Sequence, residues 1–205
     1  EKLAHISINL NINQRWLIWH YTNKNTPTAS FWQRSHESII VSWKDKSKRI
    51  FNKDSVREEY TDSYLKQAGK KRAATKGRFG DKETVYNAHK KGALPRDVIK
   101  IPALAGGAGN KERWFYCKEC NSFHLPSDLK EHKSHEIIKH PTQKPLALTE
   151  KLLLSSMNDS STHVVIPFAG SGSECYMAKK MNLNFIGFEN NEDYYKLSKE
   201  RIKII

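Results

Sequence analysis

The chain has 205 residues, 38% hydrophobic and 10% aromatic, which allows one good core with a small appended module and argues against a wholly disordered protein. Lys and Arg number 35 against 22 Asp and Glu, and the resulting +13 points to a polyanionic partner, nucleic acid or an anionic membrane surface. No apolar run approaches the roughly 20 residues that span a bilayer, no signal segment opens the chain, and its few cysteines do not make a disulfide framework; a reduced, cytosolic protein with no membrane partner is expected.

Residues 1–44 carry apolar, aromatic-rich segments, RWLIWHYT and the expected strand ESIIVSW. Residues 45–116 are basic and irregular, with KDKSKR and KQAGKKRAATKGR containing too few apolar side chains for a core. Loops and one exposed helix over Ser55 to Ala68 are expected there, closing in a flexible LAGGAGN. Lys70, Lys71, Arg72, Lys76 and Arg78 are candidate phosphate contacts on DNA; the plainer alternative is a solvated basic face.

Residues 117–136 contain CKECNSFHLPSDLKEHKSH. Cys117 and Cys120 form C-x2-C, and His132 and His135 follow, with Phe123 and Leu129 at apolar positions much like those of a Cys2His2 zinc finger. Two thiolates from a turn and two imidazoles suit tetrahedral zinc, so a structural zinc-finger-like insert is expected. The intervals run short of the usual finger, and His124 or His140 could replace one imidazole. Free thiols in a reduced loop are the competing reading.

From residue 137 to 205 the texture is ordered α/β. LALTEKLLLSS reads as a helix with Pro145 in its first turn, THVVI as a short buried strand and SECYMAKKM as a helix. NFIGFE reads as a second, parallel strand, and NEDYYKLSKERI as a closing amphipathic helix capped by Asn190 or Asn191. Between the first strand and its helix, PFAGSGSE lets backbone approach a ligand and offers helix N–H groups, while Glu189, about 20 residues on, is placed to accept from both hydroxyls of a ribose. The turn lacks the third glycine of G-x-G-x-x-G, which disfavours a dinucleotide enzyme.

IKHPTQKPLALTEKLL, VVIPFAGSGSECYMA and FIGFENN together resemble the cofactor half of the DNA amino-methyltransferases that act on adenine N6 or cytosine N4, in the permuted β-class order. GALPRDVIKIPALAG and WHYTNKNTPTASFWQRSHESIIVSW resemble the segments such enzymes carry upstream, so the likeness covers about two-thirds of the chain. It implies a Rossmann-like, S-adenosylmethionine-dependent α/β fold with an inserted DNA-recognition region. Residues 1–44 would then belong to the catalytic domain, 45–116 to target recognition and 137–205 to the cofactor half.

The resemblance also implies site residues. Thr142, Gln143 and Lys144 would lie by the methionine end of the cofactor, Lys144 or backbone donors facing its carboxylate. Pro167, Phe168, Ala169, Gly170, Ser171 and Gly172 would form the turn under it, and Glu189 would hold the ribose. Most relatives have Asp where this chain has Ile166, so weakened binding, restored by Ile166→Asp, is expected.

The family's Pro-Pro-Tyr-type catalytic loop is not among these residues, so no catalytic residue can be named. The loop is expected before Glu1, in a longer enzyme of which this is a C-terminal part, or in a separate half; a homodimer is the other expectation. The implied activity is methyl transfer to an exocyclic amine of a flipped base in double-stranded DNA, adenine N6 favoured over cytosine N4, within prokaryotic or phage-encoded restriction-modification. A non-catalytic DNA-binding module with a degenerate methyltransferase fold is the alternative. A nicotinamide enzyme explains neither the charge nor HPTQKP.

Overall fold

The computed structural model describes residues 12–23, 30–74, 82–161 and 163–205. Lys76 and Arg78 lie outside them.

RWLIWH and ESIIVSW are short, largely apolar runs that carry β-branched and aromatic residues, and they pair antiparallel along their full length as β1 (Asn13–His20) and β2 (His36–Trp43). In the basic middle the expected helix over Ser55 to Ala68 does not form as one piece. A 3-10 turn at Lys53–Val56 ends where Glu58 pairs with Ala93 through both backbone bonds, and α1 (Asp62–Leu65) starts anew at a Thr61 cap. The Arg57 guanidinium holds this break, donating to Asp54 and to the carbonyl of Gly92. These long-range bonds satisfy backbone groups that a continuous helix would otherwise use.

The hairpin of β3 (Lys71–Arg72) and β4 (Thr84–Val85) follows, then β5 (Val98–Lys100), which runs parallel to β1 and completes a sheet of order β2-β1-β5. LAGGAGN, expected to be flexible, instead contributes to α2 (Gly106–Glu112). Its last residue is pinned: the Glu112 carbonyl accepts from Gln143 at 2.8 Å and its carboxylate from Leu146 N–H at 2.6 Å.

The Cys/His segment folds as a small antiparallel sheet of order β7-β6-β8, from β6 (Phe115–Cys117), β7 (Ser122–His124) and β8 (Ile137–Ile138). A 3-10 turn at Pro126–Lys130 stands where a finger would carry its helix, so the two imidazoles come from a turn and not from one helical face. The rest is α3 (Leu146–Ser155), β9 (His163–Ile166), α4 (Ser173–Lys180), β10 (Asn184–Gly187) and α5 (Glu192–Lys203). Strands β9 and β10 are parallel neighbours, as expected, with Thr162 outside the described residues, and Asn191 is the cap of α5.

Leu148 of α3 enters one core with Trp19, Tyr21, Ile99 and Ala103, which seats the second half against the β1–β2 hairpin. Ile166, Ala169 and Cys175 form a second cluster beneath β9 and β10. The expectation that THVVI is a buried strand holds for one face alone. Val165 is 64% exposed, and Ile186 beside it is also exposed, so the other side of this parallel pair is open. Among the described residues no helix is long and apolar enough to cross a membrane.

Candidate functional site

The turn after β9 is fixed by its own backbone. Phe188 N–H donates to the Ile166 carbonyl and Ala169 N–H to the Phe188 carbonyl, so the strand ends stay zipped as the chain leaves them. Gly170 and Gly172 both have positive φ, at 53° and 73°. Neither could carry a side chain: a Cβ on Gly170 would lie 2.9 Å from His140 Nε2, and one on Gly172 would lie 2.7 Å from Ser198 Cβ. Arg201, 2% exposed, reaches under the turn from α5 and donates to the Ser171 carbonyl at 3.2 Å and to Ser173 Oγ at 3.0 Å. Sequence reasoning missed Arg201; its place four residues after the buried Leu197, on the inner face of an amphipathic helix, was the available signal.

Glu189 stands at the end of β10 with Oε2 accepting from Gly170 N–H at 2.7 Å and Oε1 from Asn191 N–H at 2.9 Å. Each carboxylate oxygen retains a lone pair for a further donor, so the acid is oriented without being used up. Phe168 is 89% exposed beside it. Burial, opposed by the charge of Glu189, depresses the His140 pKa below its ordinary value; the neutral ring packs edge-on against Tyr194 and accepts from Thr142 N–H through Nδ1. Cys175, 2% exposed beneath the turn, has its thiol pushed up to about 11 by burial, which favours the protonated form.

HPTQKP adjoins this turn: Ser173 Oγ donates to the Lys144 carbonyl at 2.9 Å. Thr142 is exposed, Gln143 is buried with its amide on the Glu112 carbonyl, and Lys144 Nζ lies 2.8 Å from Glu37 Oε2 of β2. A cavity of about 90 Å³ opens between them, lined by Trp19, Glu37, Arg113 and residues 141–144, with Ala103 to Ala105 opposite. Ile166 faces away from it: the side chain is 6% exposed, inside the cluster with Ala169 and Cys175. An aspartate there would enter an apolar cluster, which sets a cost in stability against the gain in binding expected of Ile166→Asp.

The Cys/His residues come together. Cys117 Sγ, Cys120 Sγ and one nitrogen each of His132 and His135 lie within 4.8 Å of one another, with Cys117 and His132 buried. Both imidazoles turn Nδ1 inward, 3.3 Å from Cys117 Sγ for His135 and 3.5 Å from Cys120 Sγ for His132. This is a donor set and geometry that suits tetrahedral zinc. The alternatives His124 and His140 have other partners, His124 Nε2 with Ser122 Oγ and His140 Nδ1 with Thr142 N–H. The module docks on α5, where Tyr116 and Ile138 share a buried cluster with Leu197.

Lys70, Lys71 and Arg72 are all exposed, the last two on β3, and the Arg72 guanidinium lies over the Tyr86 ring at 5.2 Å. A stacked pair, Tyr60 and Tyr64, lines an open cavity with Arg72 and Arg96. These cations are far apart in sequence from the Gly turn, and the basic hairpin forms a sheet of its own.

Residues 4–200 match a family model described as DNA methylase. The chain is 27% identical over 187 residues to the Type II methyltransferase M.HpaI of Haemophilus parainfluenzae, covering 91% of this chain and 44% of that protein. It is 24% identical to the DNA adenine methyltransferase YhdJ of Escherichia coli K12 over 92% of this chain and 51% of the relative, so it spans about half the length of these curated relatives. A crystal structure of an M1.HpyAVI–SAM complex superposes with a TM-score of 0.52 at 20% identity, over 98% of this chain and 69% of that one, a likeness of fold. With an α/β methyltransferase fold and a family match over nearly its whole length, the chain belongs to the N6/N4 DNA methylase family.

Proposed function

We propose that this chain is the S-adenosylmethionine-binding and DNA-recognition part of a DNA amino-methyltransferase of the permuted β class, methylating an exocyclic amine, adenine N6 in preference to cytosine N4. The observation that carries it is the preformed turn, with Glu189 oriented by Gly170 and Asn191 and free to accept from a ribose. The residues fit the cofactor: a carboxylate at a strand end, an exposed aromatic ring at Phe168, and a turn whose glycines keep backbone close. A degenerate, non-catalytic module has no need to keep the acid and the turn in register.

In this reading the cofactor supplies an electrophilic methyl group on sulfonium. The chain's own part is positional: Glu189 holds the ribose, Phe168 and Pro167 border the ligand, and Thr142, Gln143 and Lys144 close on the methionine end. Residues 45–116 bind double-stranded DNA, with Lys70, Lys71, Arg72, Lys76 and Arg78 on phosphates, while base contacts from other side chains choose the sequence. The target base leaves the stack to reach the methyl group. Cys117, Cys120, His132 and His135 hold one structural zinc ion, a staple for a sheet too small to supply its own core.

Titration of S-adenosylmethionine into the protein by calorimetry tests the reading. Glu189→Ala should lose about 1.5–3 kcal/mol of binding free energy, the value of hydrogen bonds to a charged acceptor. Unchanged affinity would remove Glu189 from the site.

A further inference from the structure

We propose that Glu37 receives the ammonium group of the cofactor's amino-acid end, an assignment that rests on the cofactor reading above and deepens it. An amino-acid end is a zwitterion and calls for one anionic and one cationic partner set a few ångströms apart. The cavity beside the Gly turn offers that pair: among the described residues Glu37 is the one carboxylate in its lining, and Lys144 Nζ stands 2.8 Å from it, with Arg113 also in the lining. Its volume, about 90 Å³, is well below the roughly 300–1,000 Å³ of a pocket for a whole drug-sized ligand, so it suits one end of a molecule that lies elsewhere.

Its place in the fold fits. Strands β1 and β5 run parallel and end at this cavity, and Glu37 enters from the antiparallel β2, opposite Trp19 of β1. Ligands of open α/β sheets bind beyond such carboxyl ends. The cavity wall of residues 142–144 is tied to the turn by the Ser173 to Lys144 bond, so a nucleoside held at Glu189 would extend its far end along this wall. Position 166 supplies no acid, because Ile166 is buried in the second core. Glu112 and Glu174, the other acids near α4, are not in the lining: Glu112 is spent on Leu146 N–H, and burial pushes the Glu174 carboxyl toward its neutral form. The Lys144–Glu37 pair is about one-third exposed, so the zwitterion can replace one ion pair by two without crossing a buried barrier.

The test compares S-adenosylmethionine, its deaminated analogue and 5′-methylthioadenosine, which lacks the amino-acid end, on wild-type, Glu37→Gln and Glu174→Gln proteins. Glu37→Gln should weaken S-adenosylmethionine roughly 10- to 100-fold and leave methylthioadenosine unchanged, which also shows that the variant is folded. On the wild type the deaminated analogue should bind more weakly by a similar factor, and on Glu37→Gln the two ligands should differ little, the coupling expected of groups in direct contact. Glu37→Asp should recover part of the affinity. If wild type binds both adenosyl ligands and Glu37→Gln matches it, or if Glu174→Gln alone shows the loss, the assignment is overturned and the cofactor reading stands. A wild type that binds none of the three overturns both.

Discussion

The Gly turn and the Cys/His module are both compact and both rest on α5, yet they are held in opposite ways. The turn needs no ligand to keep its shape, because Arg201, Glu189 and the strand-end amides satisfy it from within. The module has strands of two or three residues, and its centre is four side chains whose donor atoms face one another. Unbridged, they would crowd lone pairs and thiols together; a cation turns the same crowding into its main cohesion. On the proposed reading, a preorganised site and a metal-organised one lie side by side on one helix.

Zinc removal is the strongest way to break this comparison. Protein purified without chelator should carry one equivalent, and structural zinc binds with an apparent free energy on the order of 10 kcal/mol or more. Chelation should abolish hydrogen-exchange protection across residues 115–138 and spare residues 169–189. Metal-free protein indifferent to chelator would restore the free-thiol reading, and equal loss in both regions would join what is separated above.

Ile166→Asp comes next. It should destabilise the fold by about 2–4 kcal/mol, from lost apolar burial and a carboxyl set among Ala169, Cys175 and Phe185. Denaturant unfolding measures this, and a variant as stable as wild type with tighter cofactor binding would mean that position 166 faces the ligand after all.

The basic hairpin extends the comparison to a surface with neither kind of order. Lys70, Lys71 and Arg72 together to Ala should flatten the log–log salt dependence of DNA binding by up to about three contacts' worth, near 0.9 per phosphate, and weaken all sequences alike. An unaltered slope would make the run a solvated face.

The smallest effect concerns His140. Its pKa is depressed in the fold by burial, so its contribution to stability is present above the ordinary imidazole value of about 6.5 and is lost as pH falls through the lower folded value. His140→Asn, whose Oδ1 can still accept from Thr142 N–H, should show a shallower fall of melting temperature with acid than wild type. Parallel curves would place the acid sensitivity elsewhere.

What was legible in the sequence was local. Apolar spacing marked α3 and α5, the apolar runs marked β9 and β10, the glycines marked the turn, and C-x2-C with two following histidines marked the cluster, because each signal needs only a few neighbouring residues. Tertiary structure decided what depends on distant pairing. Glu58 and Ala93 broke the expected helix, Lys144 met Glu37 across 107 positions, and Ile166 turned into the core. Such contacts leave no periodicity in the chain: a side chain's partner is set by how sheets and helices close around it, and only the closed fold shows which carboxylate reaches the cavity.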